Sequence, residues 1–405
     1  MKKVVFFLRH NNDIDHISPI IYKWILTKNI ATDIIVTTKK ELLNDYRIKF
    51  LKETSKGRTD INFYYITDLL TKKQRWDYKL YQFYSKHKCI KKFTRIDAVM
   101  EKIVYYLINR QFSDVSLFCF DWTDDYFTRT LCAFAKSVGI PTVSLPHGDE
   151  PYWNMMIIDE LINYQQVINQ YVTRTFFDYI LVPNKLCLRR FKIAEEKIKV
   201  FGSPRYCDEW LDIHNAIKPP IPYFESQDNK LKVVLFLRNQ HFPLNWKEVA
   251  IAIKLITQFN EIFLVVCNHP RGTMTYGLLQ VHPWMVYQEN LAIVDNINSS
   301  SLIDWADVIL DVGTSVTWEP IKQNKPVLML EYLQSNESTV AHYIKKTALR
   351  SRDDLLNILR KFHKNKKRNW CKEKRRQKFI KNIIDYPDKQ VLERYVNFLE
   401  GLCNV

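Results

Sequence analysis

The segment from Asp304 to Leu330, DWADVILDVGTSVTWEPIKQNKPVLML, leaves little freedom in how the chain around it can fold. Val308–Leu310 is an apolar run that enters a turn at Gly313. Thr314 and Ser315 stand where a helix would begin, Glu319 follows on its first turns, and Lys325-Pro326 restarts the chain into the apolar run Val327–Leu330. Strand, turn, helix and strand in so short a stretch form a unit of a parallel α/β sheet. A helix start that opens with Gly-Thr-Ser offers backbone N–H groups and hydroxyls to an anion, and a carboxylate one turn further in could reach a sugar hydroxyl.

The same rhythm runs through the rest of the chain. Strands are expected at Val4–Leu8, Thr32–Thr37, Asn62–Ile66, Ser116–Phe120, Pro141–Leu145, Tyr179–Val182 and Ile198–Phe201, with helical spacing over His16–Lys28, Ala98–Arg110 and Asp124–Val138. The polar, aromatic region Thr71–Arg95 is expected to be helical and partly exposed. Residues 215–230, NAIKPPIPYFESQDNK, break the rhythm with three of the fifteen prolines and read as a linker. A second series follows, with strands at Leu231–Leu237, Ile262–Val266 and Ala292–Asp295 and helices at Trp246–Phe259 and Ser299–Trp305. A chain of 405 residues exceeds one ordinary core. The expectation is an α/β protein of two Rossmann-like domains, residues 1–214 and 231–349, followed by basic C-terminal helices over 350–405.

Sixty Lys and Arg against 44 Asp and Glu give a net charge of +16, which favours an anionic partner: nucleic acid, acidic lipid or a phosphorylated substrate. The basic, amphipathic stretch Arg350–Lys381 reads as a solvated helical face or as a dock for an anionic membrane surface. No zinc-finger, RNP or recognition-helix pattern accompanies it, so nucleic acid is not an expected partner. The eight cysteines form no C-x-x-C pair and suit a reducing compartment, and the apolar run in MKKVVFFLRH is too short for a signal peptide or a membrane span. The protein is expected in the cytoplasm, free or on the inner membrane face.

Glycine is scarce, with 8 residues where usage of about 7% would give about 28. Four of them, Gly148, Gly202, Gly272 and Gly313, fall just after predicted strands, where α/β proteins place ligand loops. The loop Arg9–Ser18 gathers Arg9, His10, Asp13, Asp15 and His16; Asp13, Asp15 or His16 could act as a general base, or Asp13 or Asp15 could cap the helix that follows. The loop Leu145–Trp153 bunches His147, Asp149 and Glu150 around Gly148, with Tyr152 and Trp153 as stacking surfaces for a sugar. Arg238 after one strand and His269-Pro270-Arg271 after the next could face a phosphate beside Gly313, Thr314 and Ser315. Asp121–Asp125, DWTDD, reads as a helix cap before it reads as a divalent-ion site. No set has metal-ligand spacing, and neither a Walker A nor a G-x-G-x-x-G string is present, so no metal and no cofactor are expected.

The strings FGSPR, NHP and DVILDVGTSVTWEPIKQNKPVLML resemble GT-B glycosyltransferases of bacterial surface-polysaccharide synthesis. CDP-glycerol glycerophosphotransferases and UDP-N-acetylglucosamine 2-epimerases share similar strings, and His269-Pro270 resembles the CMP-binding motif of sialyltransferases and Kdo transferases. The resemblance implies two domains facing across a cleft and a metal-independent transfer of a sugar, CMP-Kdo or a related ulosonic acid being the favoured donor, to a lipopolysaccharide, capsule or glycolipid acceptor. Glycerophosphate or NDP-hexose transfer is the alternative chemistry, and 2-epimerisation the alternative class. By resemblance His269, Pro270, Gly313, Thr314, Ser315 and Glu319 hold the donor nucleotide, and Arg238 and Arg271 meet its phosphate or a sugar carboxylate. Asp13, His16, Asp149 and Glu150 carry the chemistry, with Arg9, His147 and Trp153 on acceptor or sugar. The nucleophile and the stereochemical course stay open.

Overall fold

The computed structural model describes residues 2–86, 96–122, 125–148, 173–191, 195–221, 224, 227, 229–238, 244–269, 282–295, 297–334 and 336–404. These form two compact units. The described residues of the first lie within Met1–Gly148, Ile168–Leu211 and Asp385–Val405, and those of the second within Asp212–Ile384.

The first unit is built on strands β1 (Lys3–Leu8), β2 (Ala31–Val36), β3 (Ile61–Tyr65), β4 (Val115–Phe120), β5 (Thr142–Ser144), β6 (Tyr179–Val182) and β7 (Ile198–Val200). They lie in the order β3-β2-β1-β4-β5-β6-β7. Every pairing is parallel. Strands such as Val4–Leu8 are apolar at every position, without alternation, because helices cover both faces. One face of β1 packs Phe7 flat against Phe120 of β4, ring centroids 4.9 Å apart and 8° from parallel. The second unit repeats the plan with β8 (Leu231–Phe236), β9 (Ile262–Cys267), β10 (Leu291–Val294), β11 (Val308–Asp311), β12 (Val327–Leu330) and β13 (Ala348–Leu349), in the order β10-β9-β8-β11-β12-β13. All of its pairings are parallel too. In each sheet the winding reverses once, between β1 and β4 and between β8 and β11. That reversal opens a crevice beyond the carboxyl ends of those strands.

Four local features differ from the sequence expectation. The segment after β1 is helical from Asn11 to Thr27, so Asp13, Asp15 and His16 sit inside a helix. The helix Asp208–Ile217 runs through the expected start of the linker, and the unit boundary falls at residues 211/212. A short β13, unforeseen in the sequence, extends the second sheet. The basic tail is divided: the helix Arg352–Lys364 packs on the helix Trp246–Thr257 in the second unit, while the helix Val391–Cys403 packs on Asn11–Thr27 and β4 in the first. Leu355, Leu359 and Phe362 of one helix and Leu392, Val396 and Leu399 of the other are buried. The apolar faces of these tail helices are thus covered by protein, which leaves them nothing apolar to insert into a bilayer and removes the basis for docking through them. Among the described residues no helix is long and apolar enough to cross a membrane.

Candidate active site

The crevice of the first sheet collects charged side chains from three strands. β1 leads into Arg9, His10 and the helix that carries Asp13 and His16; β4 leads into Asp121 and Trp122; β5 leads to His147 and Gly148. Asp13 is fully buried, and its Oδ2 accepts the backbone N–H groups of Arg9 (2.9 Å) and His10 (2.8 Å). Its Oδ1 lies 3.0 Å from His147 Nδ1. Burial pushes the Asp13 carboxyl upward, but the hydrogen bond and charge of His147, aided by His10, hold it at about 2. The same Nδ1 is 3.9 Å from Asp121 Oδ2, another buried carboxylate. The Trp122 ring lies 5.8 Å from the His147 imidazole and carries the Arg174 guanidinium on its face at 5.1 Å.

Arg9 Nη1 donates to Asp125 Oδ2 at 2.7 Å. Burial works against the Arg9 charge, yet Asp125, Asp121 and Asp13 together raise its pKa, so it stands as a fixed cation in the cluster. Asp125 also caps the helix Tyr126–Ser137 by accepting the Thr128 N–H at 2.7 Å. His16 is buried, and burial together with the Arg205 and His147 charges pushes its pKa well below the ordinary value. It is therefore a neutral imidazole, and its Nε2 has no hydrogen-bond partner. A Cβ added to Gly148 would stand 2.7 Å from that nitrogen, so the residue after His147 has to be glycine for this approach. Asp15 is held by Arg47 and, at 3.0 Å, by Arg205 of the loop after β7.

Asp13, Asp121 and His147 place one donor atom each within 4.8 Å of one another, a mixed oxygen and nitrogen set of the kind that holds a divalent cation. The three residues follow three different strands, so sequence spacing could not reveal the set. A metal there would have to replace the proton shared along the Asp13–His147 line.

The crevice of the second sheet is lined by Arg238 after β8, His269 two residues after β9, and Gly313–Ser315 after β11, on three adjacent parallel strands. Arg238 Nη1 donates to the Gly313 carbonyl at 2.5 Å. Gly313 has φ +88°, a left-handed turn that favours glycine. Asp311, at the end of β11, accepts the N–H groups of Gly313 (2.8 Å) and Thr314 (2.6 Å) and the Thr314 hydroxyl (2.7 Å). Two of the N–H groups that the sequence offers to an anion are therefore already taken, and the turn is braced from within. Glu319 is buried and accepts the Ser300 hydroxyl at 2.6 Å, so a ribose contact would need that bond to open. Asn268 Nδ2 donates to Asp295 Oδ1 at 2.5 Å, joining the ends of β9 and β10 beside His269.

No family model matches the chain, and no curated protein matches it. Solved structures do. The Staphylococcus aureus MnaA in its co-structure with UDP aligns at a TM-score of 0.60 and 14% identity, over 100% of this chain and 97% of that one. The UDP-GlcNAc 2-epimerase of Neisseria meningitidis bound to UDP-GlcNAc aligns at 0.58 and 13%, over 99% and 100%. The glycotransferase of kitacinnamycin aligns at 0.54 and 10%, over 99% and 98%. The fold is GT-B. At these identities the likeness is one of fold.

Within this GT-B chain the structure brings Arg9, Asp13, His16 and His147 together, and separately Arg238, Gly313, Thr314 and Ser315, with His269 on the same sheet edge. Asp149, Glu150, Trp153, Pro270 and Arg271 lie outside the described residues. Sequence reasoning read Asp121 within DWTDD as a cap first and a divalent-ion site second, and gave no role to Arg205, Arg174 or Asp311. The signal for Asp121 was its place directly after the apolar run of β4, beside β1 at the winding reversal.

Proposed function

We propose that the chain is an enzyme acting on a nucleotide-activated sugar, and that it transfers the sugar to an acceptor hydroxyl. The observation that carries this reading is the Asp13–His147 pair. An imidazole whose Nδ1–H is held by an ionised carboxylate keeps one tautomer and presents Nε2 as a base. Such a base suits removal of a proton from a hydroxyl as it attacks the sugar carbon. Arg9, a cation raised in pKa by Asp125, Asp121 and Asp13, offsets negative charge in the same cluster.

In this reading the second unit binds the nucleotide. Arg238 and His269 would face the leaving phosphate, with Arg238 steadied by its bond to the carbonyl of the Asp311-braced turn at Gly313. A pyrimidine nucleotide is the donor we assign. CMP follows from the His269-Pro270 string, with Kdo or a related ulosonic acid as its sugar, and UDP from the molecules bound in the similar structures. A glycan or glycolipid is the acceptor class. A second reading, 2-epimerisation of an NDP-sugar, is favoured by full-length likeness in fold to the Neisseria epimerase. There the same base would act on a C–H bond of the sugar.

The deciding experiment supplies UDP-GlcNAc or CMP-Kdo with and without a glycan acceptor and follows free nucleotide and sugar configuration by NMR. Nucleotide release only with acceptor, lost in His147→Ala, supports transfer. An inverted C2 centre without acceptor supports the epimerase. Neither turnover nor a nucleotide-dependent rise in melting temperature would overturn both.

A further inference from the structure

The helix Lys72–Lys86 in the first unit keeps one side on the core and exposes large apolar side chains on the other. Tyr78 is buried, with its hydroxyl donating to the Thr37 carbonyl at 2.8 Å, and Tyr81 packs half-buried against the same core. At about 100° per residue, Trp76, Leu80 and Phe83 fall on one stripe on the opposite side. They are 75%, 48% and 53% exposed, three of the largest apolar side chains open to solvent anywhere among the described residues. Tyr105, on the helix Ile96–Arg110 packed alongside, is exposed as well.

The stripe is bordered by positive charge. Lys72, Lys73 and Lys79 are exposed, and none of the three has a carboxylate partner among the described residues. Lys79 Nζ lies 5.9 Å over the Trp76 ring, at the margin of the apolar stripe. Arg75 adds a fourth exposed cation, and Asp77 is the one acid in the helix. Isolated exposed apolar residues are ordinary, but an aromatic stripe framed by unpaired lysines is not. A long apolar ring set between cations matches a surface with hydrocarbon below and anionic headgroups above, where rings sit at the boundary and lysine stems reach outward. A soluble acidic protein would satisfy the charges but not the exposed indole and phenyl rings on the same stripe.

We propose that this helix lays its Trp76–Leu80–Phe83 face into an anionic lipid surface, with Lys72, Lys73 and Lys79 on the headgroups. The surface is distinct from both crevices and from the basic tail, and the inference stands whatever the enzyme's donor.

Co-sedimentation of the full chain with phosphatidylcholine vesicles, with and without phosphatidylglycerol, tests it. The wild type binds the vesicles that contain phosphatidylglycerol, and raising salt weakens binding. Replacing Trp76, Leu80 and Phe83 together by Ala lowers the partition coefficient at least about tenfold. Replacing Lys72, Lys73 and Lys79 by Gln lowers it about a hundredfold. All six side chains are exposed, so unchanged urea midpoints show that the variants fold. The tail variant Lys364→Gln/Lys367→Gln binds as the wild type does. The proposal is overturned by any of three results: equal binding to neutral vesicles, apolar-face variants that bind normally, or no vesicle binding alongside capture by soluble polyglutamate.

Discussion

His147 Nδ1 and Asp13 Oδ1 stand 3.0 Å apart across the winding reversal of the first sheet, one at the end of β5 and the other in the helix after β1. The second oxygen of Asp13 is fixed by two backbone N–H groups, so the carboxylate cannot swing away from the imidazole. Replacement of Asp13 by Asn keeps the shape but offers a neutral group that no longer selects the tautomer. We expect kcat for nucleotide release to fall by about 10²–10⁴ in Asp13→Asn and in His147→Ala, with KM little changed. An unaltered kcat in steady-state assays of either variant would remove this pair from the chemistry.

Two buried carboxylates should give opposite pH signatures. The folded state holds Asp13 at about 2, below its unfolded value of 3.8, so its contribution to stability is complete above that unfolded value and fades as pH falls toward about 2. Asp311 is pushed up to about 6 by burial, against its hydrogen bonds to Thr314 and Gly313 and the charge of Arg238. The folded state then binds its proton more tightly than the unfolded chain does. Ionisation of Asp311 costs stability, which declines as pH rises from about 4 to about 6 and then levels, by up to about 3 kcal/mol. Urea titrations across this range should show a slope that Asp311→Asn reduces, burial of Asp45 supplying part of the remainder.

Gly148→Ala would set a methyl group 2.7 Å from His16 Nε2. Both neighbours are tightly placed, so we expect a loss of about 1–3 kcal/mol in denaturant unfolding. The double variant with His16→Ala should recover part of that loss, since the clash partner is gone. Equal losses with and without His16 would show that the glycine serves the backbone alone.

Arg238→Ala removes the donor that ties β8 to the Gly313 carbonyl. On the proposed function it also removes a phosphate partner. A thermal-shift titration should show the nucleotide-dependent rise in melting temperature reduced, with apparent affinity weakened about tenfold or more. Retention of wild-type nucleotide affinity would move the phosphate elsewhere.

Much of the architecture was open to reading because parallel strands buried on both faces are uninterrupted apolar runs. Tyr179–Val182 and Val327–Leu330 match the observed strands end to end. β13 escaped notice because two residues carry no period. The helix Asn11–Thr27 was placed too late because its first turn is polar: Asp13 accepts the N–H groups ahead of it, and that local hydrogen bonding looks like loop chemistry in a sequence. His147 and Asp13 were each suspected, but their pairing spans 134 positions and depends on strand order. The cap expected in Asp121–Asp125 is there, made by Asp125, while the place of Asp121 beside Asp13 and His147 depends on strand order. In the tail, basic amphipathic helices were visible, but nothing in the sequence showed that protein already covered their apolar sides.

The helix Val391–Cys403 has a consequence for synthesis. It sends Leu392, Tyr395, Val396 and Leu399 into the first unit, and Tyr395 donates its hydroxyl to the Gly202 carbonyl at 2.8 Å. A ribosome makes β1 through β7 long before it makes this helix. The nascent first unit therefore waits with an open seam beside β4 while the whole second unit is translated and can fold ahead of it. Until residues 391–403 are made, that seam stays exposed to chaperones and proteases.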